Sequence, residues 1–531
     1  MRLGQLFGFG LLALPLGISA CHTPTKEAEP SELFRSALDE VMLRQPKANK
    51  LKADDLEKRP RIVLNLTLDG CIELAMSHNR TILFDRLSAE VAAANVVGSR
   101  APLDFRIGAN IGYSRSEKPV GTSFFGDNRS KEITAVTTFG INAVLPFETG
   151  TTVTLDGAFV RNDSNSPFQN FEFFPESTLT VRQHLLNGFG FVPNLGGVWM
   201  AQNDKTIADL QVDASRNTQA YNVAIAYWNL VEAAEELQLF QEEKSLAEEA
   251  LKLAQSRLDA GIGTKLEVLA QQAASKNSDV SIIQAENTRR ARRDELLHVI
   301  HPDLVIGYAL FKDYEVEIVP MTLADSARAS SDQPTVLEEV KAALRRRPEI
   351  AQARKRIENA GINIEMSEYG LLPTLDLEAQ FGVNGSGKQA DDALDSFNEF
   401  KNLKYGFNVQ FSVPLQNRAA RSNLTKAEIN KRNAILSARE TETGIILEVA
   451  GSVRNIRSAR EAVDAASEAR NLQVETYTTA VQRESADLAT PFEVSQARKD
   501  KTAAEINEAR ARINLQRARL ALLKATGELG R

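Results

Sequence analysis

Cysteine is almost absent from this sequence, which has only Cys21 and Cys71 among 531 residues. Two cysteines cannot build the disulfide framework of a small secreted scaffold. Cys71 lies in an apolar helical stretch, which favours a small buried side chain over a reactive thiol.

Residues and motifs for catalysis are also scarce. Of the five histidines, only His298 and His301 are close together, and a lone pair at this spacing favours a solvated or capping role over zinc binding. The six methionines form no track that would suit a copper or silver conduit. A P-loop, a dinucleotide-binding glycine fingerprint and a G-x-S-x-G elbow are all missing. We therefore expect no enzyme, no metal site and no cofactor, and the formal charge of −7 argues against a nucleic-acid partner.

Long apolar runs are lacking as well. Outside the N-terminus, no segment approaches the roughly 20 apolar residues of a spanning helix. If the chain crosses a membrane, it must therefore do so with β-strands closed into a barrel, because lipid offers no partner to unpaired backbone groups.

The N-terminus has the pattern of a bacterial lipoprotein signal peptide over residues 1–20. Arg2 supplies positive charge, residues 3–17 are mostly apolar, and small residues precede Cys21. This end resembles the lipobox, which implies diacylglycerol and an N-acyl chain such as palmitate on Cys21. His22 in place of Asp implies transport to the outer membrane. The alternative is an ordinary signal peptide followed by a chance cysteine. Residues 21–61 would form a polar linker.

The rest of the chain is internally duplicated. Residues 72–82 and 340–350 share their order of apolar and polar positions, as do residues 266–268 and 492–494. We predict one repeat at 62–304, a connector at 305–337 and a second repeat at 338–531.

Each repeat is predicted to hold strands and then two long helices. Alternating segments of about 9–11 residues at 103–186 and 373–414 have the pattern of outer-membrane barrel strands, although soluble sandwich strands look the same locally. The first repeat adds a hairpin at 134–160. Residues 199–259 contain neither Pro nor Gly and predict a helix of roughly 90 Å. Further helices are expected up to 299 and over 417–526. The strands are too few to close a barrel from one copy, so we expect a homo-oligomer.

At this point the sequence resembles the TolC-like outer-membrane efflux family. The resemblance rests on the order of motifs such as LTLDGCIELAMSHN (66–79), LPTLDLEA (372–379) and ATPFEVSQAR (489–498) around the duplicated elements. It implies an α+β membrane protein: a homotrimer with a shared outer-membrane β-barrel and a periplasmic tunnel of α-helical hairpins. The expected partners are outer-membrane lipid, a periplasmic adaptor and an inner-membrane transporter. The expected function is passive conduction in efflux or type I secretion.

The resemblance also implies a pore constriction at the hairpin tips. Glu493 and Gln496 match the family's acidic positions beyond the second turn, and Glu267 is the counterpart of Glu493 in the first repeat. Asp487, in the turn itself, is a further candidate. The simpler interpretation of Glu493 is an acid favoured near a helix N-terminus.

Two other classes of protein compete with the channel. A structural coiled-coil lipoprotein that tethers membranes would explain the lipid and the helices, but not the paired strands. An adaptor would need its small domain between the arms of one hairpin, whereas the strands here precede each hairpin.

Overall fold

A computed structural model describes residues 61–119, 131–166, 171–303, 315–320, 334–486 and 488–529. The predicted signal peptide, Cys21, the linker, most of the 305–337 connector and Asp487 lie outside the described residues.

Both halves of the chain follow the same general order: a short strand, two helices, strands of the large sheet and two long helices. The first half contributes four strands to the large sheet, whereas the second contributes two strands with a short helix between them. The first contains β1 (Arg61–Leu66), α1 (Leu68–His78), α2 (Arg80–Gly98), β2 (Arg106–Pro119), β3 (Lys131–Pro146), β4 (Thr151–Ser164), β5 (Phe173–His184), α3 (Phe191–Asp259) and α4 (Lys265–Ile300). The second contains β6 (Glu315–Pro320), α5 (Val336–Arg346), α6 (Pro348–Tyr369), β7 (Thr374–Asn384), α7 (Ala390–Asn398), β8 (Asn402–Ser412), α8 (Arg418–Ser485) and α9 (Pro491–Thr526).

The duplication extends to individual contacts. Asn79 separates α1 from α2 as Arg347 separates α5 from α6. The Asn79 amide donates to the Val299 carbonyl at 3.0 Å, near the end of α4. Arg347 donates to the Ala525 carbonyl at 3.5 Å, near the end of α9. In each half, the break between two short helices is therefore attached to the end of the returning long helix.

The first long helix begins earlier in the chain than the sequence predicted. The first, α3, begins at Phe191 rather than at 199 and has 69 residues, or roughly 100 Å. Pro193 is accommodated because it lies in the first turn, where backbone N–H groups lack helical partners. Gly196 lies in the same helix, at the point where α3 passes close to α6. A Cβ at this position would lie 2.5 Å from the Met366 sulfur.

Six strands form one antiparallel sheet in the order β2-β3-β4-β5-β7-β8. The β3–β4 hairpin is thus part of the same sheet as the strands of both halves. The helices α2, α3, α6 and α8 all adjoin the same end of this sheet, where β2 and β7 begin and β5 and β8 end. A second, two-stranded sheet pairs β1 with β6 in parallel.

Two apolar cores lie in the helical part. The first gathers Leu64, Leu74, Tyr227, Leu230 and Leu296 among others, from β1, α1, α3 and α4. Cys71 belongs to it and is fully buried, and that burial raises the pKa of its thiol to about 12. The expectation of a buried cysteine is confirmed.

The second core repeats the arrangement with Ala343, Ile350, Val449 and Leu522, from α5, α6, α8 and α9. In the part of the chain that the structure describes, no helix has both the length and the apolar character needed to cross a bilayer.

Candidate functional site

Each pair of long helices ends in a tight turn closed by the same capping motif. Thr264 caps α4 and Thr490 caps α9, and each hydroxyl accepts a hydrogen bond from the backbone N–H three residues later. The acids at those third positions, Glu267 and Glu493, accept in return from the backbone N–H of the capping threonine, at 3.4 and 3.2 Å. This reciprocal capping box satisfies helix N-terminal donors that would otherwise lack partners.

The predicted constriction residues therefore have local partners in a single subunit. Glu493 is exposed and lines a groove between α8 and α9 with Thr476 and Ala497. Gln496, also exposed, donates to the Asp500 carboxylate at 3.0 Å. Glu267 lies in a different groove.

The groove that holds Glu267 lies between the two hairpin tips, and the sequence did not indicate its contacts. The Arg257 guanidinium lies 3.4 Å from the Glu484 carboxylate, and Gln271 donates to the Pro491 carbonyl at 3.3 Å. Both contacts join the first repeat to the second. Arg257 corresponds to Arg483 in the second repeat, and this match is the sequence signal that could have drawn attention to Arg257.

Arg498 is a third link between the hairpins. Its side chain is buried and donates from Nη1 to the Leu246 carbonyl of α3 at 3.3 Å. Burial lowers the pKa of this guanidinium, although arginine remains protonated at neutral pH. The contacts of Arg257, Gln271 and Arg498 hold the two tips of one subunit together.

At the opposite end of the molecule, the two faces of the six-stranded sheet differ in chemistry. One row of paired residues crosses all six strands with apolar side chains: Ile107, Ala143, Leu155, Leu179, Phe381 and Tyr405. The neighbouring row faces the other way and consists of Gly108, Asn142, Asp156, Thr178, Gly382 and Lys404. Successive residues of a strand point to opposite faces, so one face is apolar and the other polar.

An ion pair and a histidine–carboxylate contact on the polar face join the two halves of the chain. Arg182 and Glu378 are cross-strand partners 2.7 Å apart, and His184 lies 2.7 Å from Asp376. The strands β5 and β7, which meet here, come from different repeats.

Over the described ranges, no group of three or more His, Cys, Asp or Glu side chains could hold a metal ion. His301 ends α4, is buried, and stacks on His78 with ring centroids 4.3 Å apart.

Comparison with known proteins matches the chain to a family. The family model for outer membrane efflux proteins matches residues 176–300 and 340–528, more than half of the chain. A pyoverdine export outer membrane protein of Pseudomonas putida, OpmQ, is 27% identical over 319 residues, which are 58% of this chain and 61% of that protein. The chain thus spans about three fifths of the length of that relative. The outer membrane efflux protein BepC of Brucella suis is 24% identical over 71% of this chain and 77% of its own.

Solved structures show the same fold. The CmeC outer membrane channel of Campylobacter jejuni superposes with a TM-score of 0.61 at 14% identity, over 87% of this chain and 85% of its own. The MtrE outer membrane channel of Neisseria gonorrhoeae, in its open state, superposes with a TM-score of 0.62 at 17% identity, over 87% of this chain and 89% of its own. The α+β architecture that the resemblance implied is confirmed. The chain therefore belongs to the outer membrane efflux protein family, a family of outer-membrane channels rather than enzymes.

Proposed function

We propose that this protein, as a homotrimer, is the outer-membrane channel of a tripartite efflux or type I secretion system. It conducts passively and catalyses no reaction, while an inner-membrane transporter supplies energy and a periplasmic adaptor joins the two. One observation carries the proposal. A sheet with one apolar and one polar face continues directly into helices of 69 and 68 residues.

The apolar face of the sheet is suited to lipid. On the last strand, Tyr405 and Phe407 are 81% and 82% exposed, and burying one such side chain is worth about 1.5–3 kcal/mol. Acyl chains of the outer membrane would cover this face, and the polar face would line the pore. The helices, roughly 100 Å long, would then extend into the periplasm and present the hairpin tips to the adaptor and the transporter.

The sheet also requires further copies of the chain. Among the described strands, β2 and β8 each have a neighbour on one side only. An unpaired strand edge is not tolerated in the hydrocarbon region. Pairing of β8 with β2 of the next copy removes both edges, and three copies complete the ring.

Cellular fractionation tests this function. We expect the protein in the outer membrane as a trimer that survives detergent and separates into monomers on heating. Release as a soluble monomer once the lipid is removed would contradict the proposal and favour a coiled-coil membrane tether.

At the pore entrance, the Glu493 side chains of three subunits would form a ring of negative charge that favours cations. Gln496 would contribute polarity without charge, and Asp487 and Glu267 would lie near the same entrance. Because Glu493 also caps α9, its two roles must be separated by experiment.

Glu493→Gln separates them, since glutamine can also complete a capping box. We expect this variant to lose cation selectivity in planar bilayers. Thr490→Ala, which removes the cap and keeps the charge, should preserve selectivity, and Glu267→Gln is the matched charge control in the other turn. Unchanged selectivity in Glu493→Gln would remove this residue from the constriction.

Lipidation of Cys21 would provide an auxiliary anchor beside the sheet. Cys21→Ser, with a working signal peptide, should abolish palmitate incorporation and slow assembly, while the trimers that do assemble still conduct. Palmitate incorporation equal to that of the natural protein would contradict the assignment.

A further inference from the structure

The β3–β4 hairpin occupies the interior of the six-stranded sheet. It separates β2 from β5, so each subunit has six strands in one continuous sheet. Pairing runs without a break from Arg106 with Val144 to Pro119 with Lys131, and from Thr134 with Ser164 to Pro146 with Thr152.

The hairpin shares the chemistry of the strands on both sides of it. On β3, Phe139 and Ile141 face the same side as Ile111 of β2 and are exposed. Asn142, which follows Ile141, faces the polar side with Asp156. In a membrane wall, each strand must alternate apolar residues toward lipid with polar residues toward the pore. A hairpin that projected into water would be under no such constraint.

The connections of the hairpin also fit a membrane wall. Its turn, residues 147–150, lies at the end of the sheet next to the helices, where the Gly190 N–H donates to the Thr149 carbonyl at 3.1 Å. The connections at the opposite end, at 120–130, 165–172 and 385–401, are longer. Short turns on the periplasmic side and longer loops outside are typical of outer-membrane barrels.

From these observations we infer that the trimer closes an eighteen-stranded barrel, with β8 of each subunit paired to β2 of a second copy of the chain. This inference rests on the proposed trimeric channel. With six strands in alternating directions, β8 runs opposite to β2, so every contact around the ring is antiparallel.

The hairpin more than doubles the cross-section of the barrel. At a strand spacing of about 4.8 Å and a tilt of about 40°, eighteen strands give a backbone diameter of about 36 Å. If the hairpin lay outside the wall, twelve strands would give about 24 Å. Barrels of 16–18 strands leave an aqueous channel, so passage would be limited at the hairpin tips rather than in the membrane.

Cysteine labelling of trimers in lipid vesicles tests this inference. The variants are Ile141→Cys and Asn142→Cys on β3, with Phe407→Cys and Asn408→Cys on β8 as the reference pair. The natural chain is the background control: Cys71 is fully buried, and any labelling of Cys21 is measured in this chain and subtracted. With a water-soluble maleimide, we expect labelling of Asn142→Cys and Asn408→Cys. Labelling of Ile141→Cys and Phe407→Cys should be at least tenfold slower.

Equal labelling at positions 141 and 142, beside a normal alternation at 407 and 408, would overturn the inference and leave the channel intact. Loss of alternation at both pairs would overturn the membrane placement of the sheet itself. The strand count in a density map of the trimer gives a second readout: eighteen strands support the inference, and twelve with a detached hairpin refute it.

Discussion

Replacing Arg347 with methionine is expected to destabilise the middle of the molecule. Its guanidinium pairs with Glu349 at 2.8 Å and with Glu448 of α8, and it also donates to the Ala525 carbonyl near the end of α9. A single side chain therefore connects α6, α8 and α9. Methionine keeps the apolar length of arginine and removes the charge and all the donors.

The size of the effect follows from burial. The Arg347 side chain is 10% exposed, whereas those of Glu349 and Glu448 are 32% and 36% exposed. Hydrogen bonds to charged groups are worth about 1.5–3 kcal/mol each, and the partly solvated acids recover some of that from water. We expect a loss of about 2–3 kcal/mol in the free energy of unfolding.

The same site predicts a pH dependence. Burial alone would raise the pKa of the Glu349 carboxyl, but the hydrogen bonds and charge of Arg347 outweigh it and hold the pKa below its ordinary value of 4.5. A lowered pKa stabilises the fold above pH 4.5, and this contribution is lost as the pH falls through the folded-state pKa. The difference between the natural protein and Arg347→Met should therefore shrink in acid.

Thermal unfolding of the purified protein, followed by circular dichroism between pH 3 and 8, measures both effects. Arg346→Met is the matched control, because Arg346 pairs with Glu528 at the surface, where the two side chains are 41% and 40% exposed. Such a pair contributes about 0–1 kcal/mol. Equal losses in the two variants, or a loss in Arg347→Met that does not change with pH, would refute the reasoning.

Two glycines give further predictions. Gly196→Val should lower the melting temperature, because even a Cβ would lie 2.5 Å from the Met366 sulfur; Gly197→Val is the control, since nothing lies within 4 Å of its Cβ position. Gly150→Ala should reduce the yield of assembled trimer on unheated gels, because Gly150 has φ +82° and a Cβ would lie 2.3 Å from the Gly188 carbonyl oxygen. A normal yield would show that the turn can rearrange.

Period-two and helical patterns predicted the order of the elements well, because each strand and helix has a face whose chemistry is visible in the sequence. The boundaries were less accurate. At the start of α1, Thr67 is the cap, and its hydroxyl accepts from the Gly70 N–H at 3.2 Å. Asp69, two residues later, is an equally suitable residue type for a cap, so only the backbone geometry distinguishes the two positions.

The hairpin tips show what sequence could not provide. A threonine three residues before a glutamate predicts a capping box, so the local role of Glu267 and Glu493 was accessible. The pairing of Arg257 with Glu484 was not, because it joins residues of different repeats, and no local pattern specifies which face of one hairpin meets the other. The assignment of Glu493 to a constriction stays a prediction.

A density map of the complete protein in lipid nanodiscs is the most direct test of the central claim. We predict three copies around one axis, with a continuous cavity from the polar face of the sheet to the hairpin tips near Glu493. A monomer, or an assembly whose helices pack without an axial cavity, would contradict it.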